Sequence, residues 1–297
     1  MSVWIAGARP RTLGAGVVPV IVGTAASGTV IWWRFLLALL VTLGLQVGVN
    51  FANDYFDAAR GVDTGARVGP PRITATGMAT PRAVLAAALA SLGVAAACGL
   101  VLAIVTAPAL VIGIGGLALL AAAGYSGGPR PYAELGLGEV MVFAFFGLMA
   151  TCGTAFVMAG TVPASAWWCG AALGLLAVAI LVANNLRDIP TDERSGKRTL
   201  AVRLGDRRTR LLFRTSVVGA FGTIVIGVLV YIPWPAAGIT QWSLLALLAW
   251  LPAIGPMERV GSATGRELNE VLVGTAKTHA AFGLLAALGL ALSHTTA

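Results

Sequence analysis

Charge is scarce in this sequence. Only 11% of its 297 residues are Asp, Glu, Lys or Arg, against roughly 25% in an ordinary soluble domain. That shortfall excludes a water-solvated surface over most of the chain. Histidine and cysteine are scarcer still, at two and three residues. Cys98, Cys152 and Cys169 all lie in or beside apolar runs, and no Cys-x-x-Cys or Cys/His spacing suits zinc or haem. They read as packing residues. Acidic side chains number 12 against 20 basic ones, a net charge of +8. In a soluble protein that excess would suggest nucleic acid. Here the placement of the charges accounts for it, and no nucleic-acid partner is expected. Also missing are short alternating segments of the kind that build membrane strands, a long soluble domain, a low-complexity tract and a heptad array.

What the chain has is apolar length. Hydrophobic residues make up 58% of it, and the mean hydropathy is +0.87. A chain in lipid must satisfy its backbone internally, so long apolar runs are helices. Nine spans are expected, near residues 13–31, 35–53, 82–105, 109–125, 138–160, 167–186, 211–232, 243–256 and 272–293. The fold class is therefore all-α and integral to the membrane, with residues 1–297 as one domain. The apolar run after Arg9 and Arg11 is read as a retained first span and not a cleaved signal. With this count, 19 of the 20 basic residues fall on one face, and only Arg34 lies on the other. Basic loops mark the cytoplasmic side, which puts the N-terminus and the polar loops there, in the plasma membrane. The opposite loops, such as Thr161-Val162-Pro163, are short and uncharged. Trp32, Trp33, Trp167, Trp168, Trp234 and Trp242 sit at span ends on that outer side, as interfacial anchors do.

Two polar stretches interrupt the oil. The first is Asn53-Asp54-Tyr55-Phe56-Asp57, continuing through Arg60 and Gly61 to Asp63. The second is Asn184-Asn185-Leu186-Arg187-Asp188, continuing to Asp192, Lys197 and Arg198. Each closes an even-numbered span, so both leave the membrane on the same face. Residues four apart share a helix face, so Asn53 pairs with Asp57 and Asn184 or Asn185 with Asp188. A carboxylate at the centre of a span costs about 2.5–3.5 kcal/mol on an insertion scale, so a cluster of them calls for compensation. Oxygen donors without His or Cys suit a hard cation, Mg²⁺ above all. The candidate metal ligands are Asn53, Asp54, Asp57, Asp63, Asn185, Asp188 and Asp192. Helix capping or pairing with nearby arginines is the competing structural account of the same acids. Arg60, Arg67 and Arg72 in one loop, with Lys197 and Arg198 in the other, are candidates for phosphate oxygens. Arg203, Arg207, Arg208 and Arg210 are better read as headgroup or topology charges. Pro190 is expected to end its helix near Ile189, which leaves the direction of Asp192 open.

These motifs resemble the UbiA superfamily of intramembrane aromatic prenyltransferases. Asn53-Asp54-x-x-Asp57 with Asp63, and Asp188-x-x-x-Asp192 before Gly196-Lys197-Arg198-Thr199, carry the resemblance. Further stretches are similar to the branch that prenylates 1,4-dihydroxy-2-naphthoate in menaquinone biosynthesis. They are Gly7-Ala8-Arg9-Pro10-Arg11-Thr12-Leu13, Arg67-Val68-Gly69-Pro70-Pro71-Arg72, Tyr125-Ser126-Gly127-Gly128-Pro129 and Gly136-Leu137-Gly138-Glu139. Gly61 stands where other branches carry a third regularly spaced Asp, and Asp63 is expected to substitute.

The resemblance implies nine helices around a central cavity open to the cytoplasmic face and laterally to lipid. It implies Mg²⁺-dependent transfer of a polyprenyl group from polyprenyl diphosphate to an aromatic acid, with decarboxylation, giving demethylmenaquinone. Asp57 and Asp188 would be central to catalysis. Tyr125 would face the reacting carbon or the diphosphate, and Arg130 and Glu139 would help place the aromatic acid. Lys277 and His279 are weaker candidates. Another acceptor, such as 4-hydroxybenzoate or homogentisate, leaves the metal motifs unchanged. A transporter would need polar groups reaching the far side, where the loops are bare.

Overall fold

The computed structural model describes residues 2–61, 72–128 and 131–296. Among them the regular structure is helical, with no strand. A short α1 (Val3–Ala8) meets α2 (Pro10–Ser27) at Arg9, which has φ +56°. Proline opens α2, α4 (Pro81–Val105) and α5 (Pro108–Ser126), where its missing N–H would have had no helical partner. Thr80 also caps α4 by accepting from the Ala83 N–H at 3.3 Å. Between α2 and α4 lies α3 (Trp32–Ala59), whose 28 residues extend about 42 Å at 1.5 Å per residue. That exceeds the roughly 30 Å hydrocarbon layer, so the polar end of α3 projects beyond it.

The next helix is composite. It runs from α6 (Gly138–Val142) through a π-helical stretch, Phe143–Met149, into α7 (Ala150–Ala159). Gly147 in this stretch lies against the backbones of Gly170 and Gly174 in α8 (Ala164–Arg194). Small residues permit that backbone-on-backbone approach. α8 is the axis of the bundle: it packs against α2, the composite helix, α9 (Leu200–Tyr231) and α11 (Leu268–Thr296). The main core follows it, with Leu173, Leu176, Phe213, Ile224 and Phe282 buried together. A 3₁₀ segment, Gln241–Ala249, leads into α10 (Trp250–Arg259) and lies along α11. α5 packs on α4 and α3 at the periphery.

Each expected span falls largely on a helical stretch, but not all are full membrane helices. Among the described residues seven helices are long and apolar enough to cross a bilayer. The first expected span is a shorter apolar helix, Thr12–Ser27. The eighth is split between the 3₁₀ segment and α10. Large apolar side chains such as Leu89, Leu100, Ile104, Leu117 and Leu120 point outward from α4 and α5. Such a surface in water would aggregate; in lipid it is the ordinary exterior. The protein crosses the membrane several times.

One local expectation is overturned. α8 does not stop at Ile189 but continues through Pro190 to Arg194. Only a single turn follows the proline, and it has its own ties. The Thr191 hydroxyl donates to the Asp188 carbonyl at 2.8 Å, and the Ser195 N–H donates to the Thr191 carbonyl at 3.1 Å. The Lys197 N–H then donates to the Asp192 carbonyl at 2.8 Å, with Gly196 at φ +75° closing the end. Asp192 is thereby carried one turn beyond Asp188.

Candidate active site

The last turns of α3 carry three buried polar side chains, Asn53, Asp54 and Asp57. Asp57 is 1% exposed and surrounded by cations. Arg72 Nη2 donates to its Oδ2 at 2.7 Å, Arg60 Nη2 donates to Oδ1 at 3.0 Å, and Lys197 Nζ stands 3.4 Å from Oδ2. Lys197 is 140 residues away in sequence, so this contact joins the two polar stretches. Asp54 faces elsewhere. Its carboxylate accepts the backbone N–H groups of Ile73 at 2.9 Å and Thr74 at 2.8 Å. That pins the segment from Arg72 beneath α3 and aims Arg72 at Asp57. Asn53 Oδ1 accepts from the hydroxyl of Ser126, which ends α5.

The end of α8 supplies the facing wall. Arg187 donates to both oxygens of Asp188, from Nε and Nη2, at 2.7 Å each. Asn185 Nδ2 donates to Glu139 Oε1 at 3.0 Å, tying α8 to the start of α6. On the loop before α6, Tyr132 meets Tyr125 edge to face with centroids 5.4 Å apart. Burial, with the neighbouring Tyr125 phenol, pushes the Tyr132 hydroxyl above the usual tyrosine range, so it stays a neutral donor.

Two hollows meet between these walls. The smaller, about 80 Å³, is polar. Its oxygen donors come from Asn53, Asp57, Asn185, Asp188 and Asp192, and its cations from Arg9, Arg72 and Lys197. The larger, about 1030 Å³, is walled mainly by apolar residues of α3, α5 and the composite helix, such as Val41, Leu119 and Phe146. Arg9, Asn53, Tyr125 and Asn184 line both. They form the neck between a charged chamber and an oily one.

Among the described residues no three His, Cys, Asp or Glu side chains are close enough together to hold a metal ion. The donor set around the small chamber is nonetheless all carboxylate and amide oxygen, the chemistry Mg²⁺ takes when phosphate and water complete its shell. Asp57 faces Arg60, Arg72 and Lys197, cations that an incoming anion could draw away. By donor chemistry, the residues fit the ion.

Of the residues expected from sequence, the chamber gathers Asn53, Asp57, Asn185, Asp188, Asp192, Arg72, Lys197 and Tyr125. Arg60 lies at its rim, shared between Asp57 and Glu134 at 2.8 Å. Glu139 is buried behind Asn185, and Asp54 behind Asp57. Arg198 is exposed and does not line the chamber. Asp63, Arg67 and Arg130 lie outside the described residues. Sequence reasoning missed Arg9, Ser126, Arg187 and Asn269 as site residues. Arg9 had a signal, a basic residue directly before a helix-opening proline in an apolar chain; Asn269 had none.

The profile of the UbiA prenyltransferase family matches residues 16–260. A relative from Mycobacterium tuberculosis, called 1,4-dihydroxy-2-naphthoate octaprenyltransferase, is 46% identical over 276 residues, covering 91% of this chain and 90% of its own. A UbiA homologue from Aeropyrum pernix superposes with a TM-score of 0.70 at 17% identity, covering 95% of this chain and 97% of its own. A second, from Archaeoglobus fulgidus and bound to GPP and Mg²⁺, gives 0.64 at 15% identity, with 96% and 99% covered. The archaeal structures share the helical arrangement, and the mycobacterial relative aligns along nine-tenths of the chain: this chain belongs to the UbiA prenyltransferase family.

Proposed function

We propose that the protein transfers a polyprenyl group from its diphosphate to 1,4-dihydroxy-2-naphthoate. The observation that carries the reading is the Asp57–Lys197 contact, which closes a charged chamber over the neck of a large apolar cavity. A diphosphate fits the first and its isoprenoid tail the second. The acceptor is taken from the mycobacterial relative's name and from the sequence stretches shared with that branch.

In the reaction the bond between prenyl C1 and its diphosphate oxygen breaks, and the electron pair leaves with diphosphate. The electron-rich ring forms a carbon–carbon bond to C1. Loss of the carboxylate as CO₂ restores aromaticity and gives the quinol form of demethylmenaquinone. Arg72 and Lys197 exchange Asp57 for phosphate oxygens and stabilise the leaving group. Asn53, Asp57, Asn185, Asp188 and Asp192 would hold Mg²⁺, which when bound neutralises the departing diphosphate. Asp54, with both oxygens on backbone N–H groups, serves as scaffold in this reading and not as a ligand. Tyr125 and Arg9, at the neck, border the place where ring and C1 meet. The oily chamber excludes water that would quench an allylic cation.

The nine-span count, with the N-terminus and both polar stretches at the cytoplasmic face of the plasma membrane, belongs to the same proposal. It is supported by the basic bias and by the exposed Trp32, Trp33, Trp167 and Trp234. The whole chain acts as one catalytic unit, and its cavity opens sideways to lipid.

Purified protein supplied with geranyl or farnesyl diphosphate, the naphthoate and Mg²⁺ is expected to release a prenylated, decarboxylated product, detected by mass. Product from 4-hydroxybenzoate or homogentisate but none from the naphthoate would overturn the acceptor. Arg72→Ala is expected to raise the KM for donor about 10- to 100-fold, the loss of a charge-assisted contact, with a smaller change for acceptor. The opposite split would move Arg72 to the acceptor's side.

A further inference from the structure

Arg187 makes an unusual set of contacts for a residue next to the acid it serves. Its side chain is 2% exposed. Nε and Nη2 grip the two oxygens of Asp188, and Nη2 also donates to Asn184 Oδ1 at 2.7 Å. Nη1 reaches away from α8 and donates to Asn269 Oδ1 at 2.7 Å, 82 residues further along. Neighbouring positions on a helix do not face each other, so a fork gripping the next residue needs an anchor off the helix. Among the described residues Asn269 is that anchor. It sits on the first turn of α11, just after a capping box in which the Thr264 N–H donates to Glu267 Oε2 at 3.1 Å. Leu268 and Val271 are buried on either side of it. Its own position is therefore fixed by the cap and the packing of α11. Arg187 and Asn269 line the oily cavity, while Asp188 lines the charged chamber.

We propose that Asn269 is a positioning residue: it holds the Arg187 fork so that Asp188 keeps its carboxylate turned into the chamber. With both oxygens gripped by Arg187, the Asp188 carboxylate is held at the chamber's wall. Without the Nη1 tie the guanidinium is held, apart from Asp188, only by Asn184 on α8 itself, and it can pivot with the carboxylate. This rests on the reading above only in taking Asp188 as a cation ligand. It makes the last helix, far from either motif in sequence, part of the site's alignment.

The test is Mn²⁺ binding to the full-length protein in detergent with geranyl diphosphate present, followed by the paramagnetic signal of the free ion. Asn269→Ala is expected to weaken Mn²⁺ about tenfold, as loss of a group orienting a metal ligand does. Asn269→Asp, which still accepts from Nη1, is expected to stay within about threefold. In an Arg187→Lys background, where no fork remains, Asn269→Ala is expected to change affinity less than about twofold. Should Asn269→Ala fail to fold, Asn269→Gln displaces the fork with a longer arm and is expected to weaken Mn²⁺ likewise. Equal losses in both backgrounds, or a fold-competent Asn269→Ala at wild-type affinity, would overturn the proposal, as would a wild-type protein that binds no Mn²⁺. Expected Mn²⁺ behaviour in a protein that prenylates no naphthoate would remove the acceptor and leave this inference standing.

Discussion

Replacing Asp57 with Asn is expected to cut turnover by about 10³-fold or more, the scale of losing one preorganised electrostatic group. Asn keeps the shape of the side chain and loses its charge. Three cations, from Arg60, Arg72 and Lys197, then share a chamber without the carboxylate that held them at 2.7–3.4 Å. Arg60 keeps Glu134 as a partner, and the buried Arg72–Asp57 pair, with side chains 5% and 1% exposed, is broken. Breaking a buried pair by removing one member costs about 3–5 kcal/mol, so the variant should melt earlier in detergent while remaining extractable. Prenyl transfer and a thermal melt on the same sample check both parts. Turnover within tenfold of wild type would mean that Asp57 only neutralises its neighbours.

Asp188→Asn is the second large effect and differs in kind. Turnover is again expected to fall by about 10³-fold, because the facing wall of the chamber loses its charge. The stability cost is more local. Arg187 retains Asn184 and Asn269, both at 2.7 Å, so the guanidinium keeps hydrogen bonds although it loses its counter-charge. Mn²⁺ affinity should fall in both variants, and adding excess Mg²⁺ should restore neither. Recovery of Asp188→Asn at high Mg²⁺ would reduce that residue to a weak contributor.

Much of this arrangement was legible in the residues. The Asn/Asp pairs at the ends of two even-numbered spans placed both polar stretches on one side, and the structure brings them within 3.4 Å at Asp57 and Lys197. The helical class followed from scarcity of charge and from span length. Other features carry no local mark. Asp54 and Asp57 are the same residue type three apart, yet one binds backbone 19 and 20 residues downstream and the other binds side chains. Nothing in the local sequence decides which. Pro190 reads as a stop because a proline forfeits a helical hydrogen bond; the threonine and serine that hold the following turn act through geometry. The π-helical stretch at Phe143–Met149 is apolar throughout and has no period of its own. The Arg187–Asn269 tie joins two helices across the bundle, and a single sequence has no term for that distance.

The neck shared by the two hollows has a consequence for how donors of different length behave. Arg9, Asn53, Tyr125 and Asn184 border the charged chamber at one fixed point, so the head group of every donor registers against the same landmarks. Extra isoprene units extend away from that point into the oily chamber. Lengthening the tail should therefore tighten binding until the chamber is filled, and leave the rate of the bond-breaking event almost unchanged. Selection among isoprenoids becomes a matter of occupancy, decided at a distance from the carbon that reacts.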